Sequence, residues 1–222
     1  MLVEHMATFQ KQVTYASINK KLKRNGLILR GGFTQELQTI LLIGPNEPCF
    51  WEYFRNSSEY KDSLPDPMDR WSKRVIGEIA SDFNSKAVYP SDGPPYAPFY
   101  TWAVLSKNAF VSPLKLLVHE EVGLMISYRG ALILEQLIEL PVTSETSPCE
   151  ACDEPCLSAC PADALNLTSY DTDACKSYLG TNIGQDTCFK RGCLVRISCP
   201  LSPKNGRYED QTKFHMKAFL KL

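Results

Sequence analysis

Between Cys149 and Pro200 the chain carries eight of its nine cysteines, in the runs CEACDEPCLSACP and CKSYLGTNIGQDTCFKRGCLVRISCP. Cys160 and Cys199 each stand directly before a proline. Thiols this dense on short loops are a framework for a metal cluster, because a [4Fe-4S] cube needs one thiolate per iron and a tight loop supplies three from one turn of chain. In two-cluster ferredoxins the C-x2-C-x2-C-x3-C-P run gives three cysteines to one cluster and the cysteine before proline to the other. Here Cys149, Cys152 and Cys156 are the local three and Cys160 the donated one. Asp153-Glu154-Pro155 places three residues between the second and third ligand where two are usual, so the loop must bulge. In the second half Cys175, Cys188 and Cys193 are available for a cluster completed by Cys160, and Cys199 returns to the first. The expected assignment is therefore Cys149, Cys152, Cys156 and Cys199 for one cluster, and Cys160, Cys175, Cys188 and Cys193 for the other.

Three alternatives use the same residues. Disulfides suit eight cysteines in a secreted chain, but thiols stay reduced in the cytosol. Structural zinc uses paired CxxC units, usually as two separated knuckles without paired Cys-Pro steps. A single cluster, with the irregular second half purely structural, is the third.

The rest of the composition narrows the class. With 222 residues there is room for one large or two small domains with a core. Lysine and arginine number 24 against 25 acidic residues, so charge argues for neither a nucleic-acid nor an anionic-membrane partner. No stretch approaches the roughly 18 apolar residues of a membrane span, and MLVEHMATFQKQV reads as neither signal peptide nor anchor. The expectation is a cytoplasmic, reducing compartment.

Along the chain, Leu2, Met6, Phe9, Val13 and Leu22 are spaced as an amphipathic helix over 2–24, stopped by Asn25-Gly26. Leu27 to Arg30 and Leu37 to Ile43 read as two short strands separated by Gly31-Gly32, the second apolar enough to be central. Asp66-Pro67-Met68-Asp69 reads as a capped helix start, and Met68, Trp71, Val75, Ile79 and Phe83 make one core-facing stripe over 67–83. YPSDGPPYAPF, from Tyr89, is too rich in proline for helix or central strand. Its aromatic residues are expected to bury as a wall around a pocket, before a helix at Phe99 to Lys107. Lys115 to Val118 and Leu124 to Leu134 read as a hairpin across His119-Glu120-Glu121-Val122-Gly123. The polar, proline-bounded PVTSETSP, 141–148, marks the boundary between a domain over 1–141 and a cysteine module with a C-terminal helix over 142–222.

CxxCxxxCxxxCP, then Cys175-Lys-Ser-Tyr-Leu, then Gly192-Cys193 and Cys199-Pro200, resembles the double-cluster module of epoxyqueuosine reductases and corrinoid reductive dehalogenases. SPLKLLVHEEVGLMISYRGALILEQLIELP resembles the stretch preceding that module in those enzymes and the corresponding part of the CblC-type vitamin B12-processing protein. DPMDRW and LLIGPNEPCFWEYF are a looser match to the CblC-type domain. The resemblance implies an α+β fold, a shortened nitroreductase-like sheet-and-helix domain followed by a ferredoxin-like double-cluster module. In such relatives the first domain holds cobalamin and the clusters feed it electrons. The family's middle cysteine of GCxxC is replaced here by Arg196, so Cys188 must stand in for it. Arg129 and His119 are the matched polar residues outside the cysteines. Arg129 offers paired donors to an anionic group of a cofactor or, equally, a salt-bridged strand position. His119 is a turn residue that is either a base or ligand or simply solvated. His215 reads as a surface or packing residue and Cys49 as a buried apolar thiol.

Three functions are compatible with these residues. The first is an iron-sulfur redox protein with two [4Fe-4S] clusters, passing single electrons to a cofactor, small-molecule acceptor or partner protein at the N-terminal domain. Such a protein is an oxidoreductase only if it carries its own substrate site, and no assembled triad, phosphate loop or metal-helix motif is present. The second is a corrinoid- or flavin-binding protein with structural or regulatory clusters. The third is a zinc-stapled interaction module.

Overall fold

The computed structural model describes residues 13–203 and 207–221. It is a mixed α+β protein. The first half of the helix expected over 2–24 lies outside the described residues; the described part is α1, Tyr15–Lys23. Its start is fixed by a reciprocal capping box, with the Thr14 hydroxyl accepting from the Ser17 amide and the Ser17 hydroxyl from the Thr14 amide.

Strand β1, Leu27–Gln35, and β2, Gln38–Pro45, form an antiparallel pair. The two glycines expected to separate strands instead lie inside β1. There the register slips between Leu29, opposite Ile43, and Gly32, opposite Leu41, so one extra residue is absorbed as a bulge. Gly31 takes φ +129°, a conformation only glycine adopts readily. The bulge has a consequence for packing. Without it, period-two alternation would send Leu29 and Phe33 to the same face; with it, Leu29 joins one core and Phe33 the other. The actual turn is Glu36-Leu37, where Glu36 has φ +54° and Leu37 is exposed.

Helices α2, Cys49–Arg55, α3, Ser58–Lys61, and α4, Pro67–Asp82, follow. In α4 Met68, Trp71, Val75 and Ile79 are buried as their spacing predicts. Asp66 does precede the helix, but it adopts a left-handed conformation and its side chain caps no amide. Beside it, Glu59 of α3 is buried and bridges to Arg74 at 2.5 Å, and that hydrogen bond holds its carboxyl down at about 2. A depressed carboxylate contributes stability above its unfolded value near 4.5 and loses it as pH falls toward 2. Acid unfolding of Glu59→Gln is therefore expected to be less steep between pH 4.5 and 2 than that of the unaltered chain, as read by circular dichroism.

Strand β3, Lys86–Val88, precedes the proline-rich segment, in which Tyr89 and Phe99 are buried but Tyr96 and Tyr100 are exposed. The expected aromatic wall is thus incomplete, since prolines hold the segment on the surface. Helix α5 spans Phe99–Leu105. Strand β4, Ala109–Val111, pairs antiparallel with β5, Leu117–His119. The hairpin expected between 115–118 and 124–134 does not form as a strand pair. Only His119 and Gly123 bridge across that turn, and β6, Gly130–Leu134, instead pairs with β2 and β3. The main sheet is ordered β1-β2-β6-β3.

Central strand β2 reads as continuously apolar because both faces of the sheet are covered. Leu41 and Ile43 pack with Leu132 and Leu134 under α1, α2 and α4. Ile40 and Leu42 pack with Ala131, Phe99 and Ala103 under α5. No described helix is long and apolar enough to cross a membrane.

Beyond residue 134 the chain has no strand until the cysteine module, which consists of short helices. A 3-10 turn covers Pro155–Ser158, followed by α6, Thr172–Leu179, and α7, Asn182–Gly184, which runs into a π-helical turn over Gln185–Phe189; α8 is Leu194–Ser198 and α9 Glu209–Leu220. Two sets of contacts tie this half to the first. Leu114, Val118 and Leu124 pack against Cys156, Leu165 and Val195 in a third apolar cluster. Helix α9 lays Phe214 against Trp51, Phe54 and Tyr60, while Asp210 accepts from the Trp51 indole at 2.8 Å.

Candidate metal-cluster site

The extra residue in the first cysteine loop is accommodated at Glu154, which takes a left-handed φ of +53°. That bend aims the Glu154 amide at the Cys152 sulfur, 3.4 Å away. It also starts the 3-10 turn that buries Cys156. The structure brings Cys199 from the far end of the module to this loop. Burial pushes the Cys149 and Cys156 thiols up, and the charges of Cys152 and Cys199 raise both further.

Cys160, four residues beyond Cys156, keeps different company. Burial raises Cys175 and Cys188, and the charges of Cys193 and Cys160 act on both in the same direction. The eight thiols thus sort into Cys149, Cys152, Cys156 and Cys199 on one side and Cys160, Cys175, Cys188 and Cys193 on the other. Among the described residues no three His, Cys, Asp or Glu side chains are arranged to hold a single metal ion. Zinc at about 2.3 Å from each sulfur requires its ligands to converge on one point; the thiols of the second set instead border a volume.

The volume at the second set is a cavity of about 320 Å³, lined by Cys160, Cys175, Cys188 and Cys193 and by none of the first set. Cys188 enters from the π-helical turn, an irregularity that costs helix geometry and is commonly found at functional sites. The phenol of Tyr170 lies 4.0 Å from the Cys175 sulfur and donates toward it.

At the first set, close packing leaves no room for a side chain on Gly123. A Cβ there would lie 2.8 Å from the Cys199 sulfur and 2.9 Å from the Ser202 hydroxyl, and φ is +53°. Ser202 is buried and its hydroxyl has no partner among the described residues. A buried hydroxyl without a partner costs about 1–3 kcal/mol. The Glu154 amide, Tyr170 phenol and Ser202 hydroxyl are the kind of donors that surround cluster sulfurs. The four thiols of the second set line a cavity with room for a group larger than one ion.

Of the two non-cysteine candidates, Arg129 lines the cavity and His119 does not. Arg129 has no carboxylate within salt-bridge distance among the described residues; its Nε donates only to the Tyr128 carbonyl. His119 ends β5 and is buried, not solvated, because β4 and the turn to Gly123 enclose it. Its Nδ1 accepts from the Glu121 amide, and burial together with Arg30 lowers it to about 4, so it is neutral at pH 7.

His215 faces the cavity, with burial, Arg207 and Arg129 pushing it down to about 3. Cys49 is half-buried and donates to the Asn46 carbonyl. Sequence reasoning missed Arg207, Ser202 and Tyr170. The chain matches no protein-family model, no curated protein and no solved structure.

Proposed function

We propose that this chain is an iron-sulfur redox protein that holds two [4Fe-4S] clusters and passes single electrons to an acceptor at its N-terminal domain. Cys149, Cys152, Cys156 and Cys199 hold one cluster, and Cys160, Cys175, Cys188 and Cys193 the other. The observation that carries this reading is that Cys160 lines the cavity with Cys175, Cys188 and Cys193, while Cys199, from the second run, does not; an exchange of Cys160 and Cys199 between two clusters accounts for it. Two independent zinc knuckles or a disulfide framework give no reason for that exchange, whereas two clusters sharing paired motifs do. The resemblance to epoxyqueuosine reductases and corrinoid reductive dehalogenases points the same way.

When bound, such clusters supply one-electron storage at potentials tuned by net charge, hydrogen bonds to sulfur and burial. The chain's own contribution is those donors and charges. Arg196 lines the cavity at the second set, and its Nη1 donates to the Leu124 carbonyl at 2.6 Å. A fixed positive charge there favours the reduced, more negative state. Potentiometric titration of anaerobic protein is expected to show two reducible centres, with Arg196→Glu moving one to lower potential and leaving the other in place. Arg196→Gln, which keeps a donor for Leu124, moves it less in the same direction. Unchanged midpoints in both variants would separate Arg196 from the cluster, and absence of any titration would remove the electron-transfer role.

A second reading, a cobalamin- or flavin-binding protein whose clusters are structural or regulatory, draws on the resemblance of the first half to the CblC-type domain. Saturable binding of cobalamin or a flavin to anaerobic protein tests it.

A further inference from the structure

The cavity beside Cys160, Cys175, Cys188 and Cys193 is walled by three arginines from separate parts of the chain, Arg129, Arg196 and Arg207. They are close enough to disturb one another. Burial lowers the affinity of Arg129 and Arg207 for their protons, and each is depressed further by another arginine. His215 of α9 feels both. Opposing negative charge is sparse. Glu47 lies 3.5 Å from Arg207, but it is shared with Arg30 and held by Gln211. Asp69 acts on Arg129 only from beyond salt-bridge distance. The terminal amino groups of Arg129 hydrogen-bond to no described residue, while Arg196 and Arg207 each spend one on a backbone carbonyl, of Leu124 and Met125.

Like charges gathered at a partly buried wall cost stability unless an anion completes them. One anion is already implied, a cluster at the cysteine wall. Arg196 belongs to that wall by sequence, lying between Cys193 and Cys199. Arg129 and Arg207 come from other parts of the chain, just before β6 and on the approach to α9, and paired guanidinium forks are suited to phosphate or carboxylate oxygens. We propose that the Arg129 and Arg207 side of this cavity is an oxyanion site, which holds the phosphate or carboxylate group of a small-molecule electron acceptor beside the second set of cysteines. The role as acceptor rests on the electron-transfer reading; the oxyanion site rests on the arginines alone.

Titration calorimetry on full-length, anaerobically prepared protein decides it, with inorganic phosphate and succinate as separate probes and iron and sulfide counted in the same samples. Saturable binding of one probe is expected, weakened about tenfold or more in Arg129→Gln, since a charge-assisted hydrogen bond contributes about 1.5–3 kcal/mol. Arg129→Lys should retain part of it. Phosphate binding without succinate binding assigns a phosphate-bearing ligand, and the converse a carboxylate. Absence of saturable binding in the unaltered protein, or binding indifferent to Arg129→Gln in a variant that unfolds at the same temperature, overturns the site. A shift of the second centre's potential in Arg129→Gln with no anion binding also overturns it, because the arginine then serves only the cluster. Protein without iron and sulfide that still binds the anion through Arg129 would uphold the oxyanion site and remove the acceptor role.

Discussion

Alanine at Cys160 should cost the protein about four of about eight irons, and the identity of the lost cluster should contradict its place in the sequence. Cys160 closes the run that begins at Cys149, yet its thiol acts on Cys175 and Cys188. Cys199 closes the second run, yet acts on Cys149 and Cys156. Pairs of substitutions separate the two arrangements. Cys160→Ala with Cys188→Ala should lose no more iron than Cys188→Ala alone, because both remove ligands from one cluster. Cys199→Ala with Cys188→Ala should lose nearly all of it, where ligands that followed sequence runs would lose only half. If ligands followed sequence runs, Cys160→Ala with Cys188→Ala would empty both sites. Iron and inorganic sulfide, measured on anaerobically purified variants, give the answer.

Trp51→Ala should be the most destabilising single change outside the cysteines, by about 3–5 kcal/mol, against a total stability of about 5–15 kcal/mol for a typical domain. Trp51 is fully buried, its ring lies 5.6 to 5.7 Å from those of Phe54, Tyr60 and Phe214, and its indole donates to Asp210. Phe214 and Asp210 belong to α9, whose opposite side brings His215 and Thr212 to the cavity. Loss of the indole therefore loosens the helix that covers the second set, and a chelator should strip iron faster from that set than from the first. Trp51→Phe keeps most of the packing and loses only the hydrogen bond, so a loss near 1 kcal/mol is expected. Denaturant midpoints and the rate of iron release to a chelator check both statements.

Periodicity made the large elements of the first half readable. The stripe from Met68 to Ile79 recurs at three and four residues because one face of α4 packs on the sheet, and β2 is uniformly apolar because both its faces are covered. What misled was local chemistry with two meanings. A glycine pair between apolar residues fits a turn as well as a bulge, and only the parity of Leu29 and Phe33, which belong to different cores, distinguishes them. Strand β5 finds its partner upstream in β4, three residues long and too short to show alternation. His119 stands beside two glutamates that suggest solvent, yet the bridge to Gly123 folds it inward.

The eight cysteines stood out in the sequence as a candidate metal framework because ligand spacing is itself a chemical constraint. Of the cavity's arginines, Arg129 was singled out in the sequence but Arg207 was not, since the two come together only through a contact between residues far apart in the chain. Ser202 follows Cys199-Pro200 closely, and that proximity to a ligand was the available signal; Tyr170, five residues before Cys175, offered the same one.

The central claim is two four-iron clusters, and an iron, sulfide and zinc count with an electron-spin-resonance spectrum on protein purified without oxygen tests it most directly. About eight irons with matching sulfide per chain, and signals from two reduced centres, are expected. Zinc without sulfide would contradict the redox function altogether, and about four irons would leave the thiols of Cys160, Cys175, Cys188 and Cys193 a structural set.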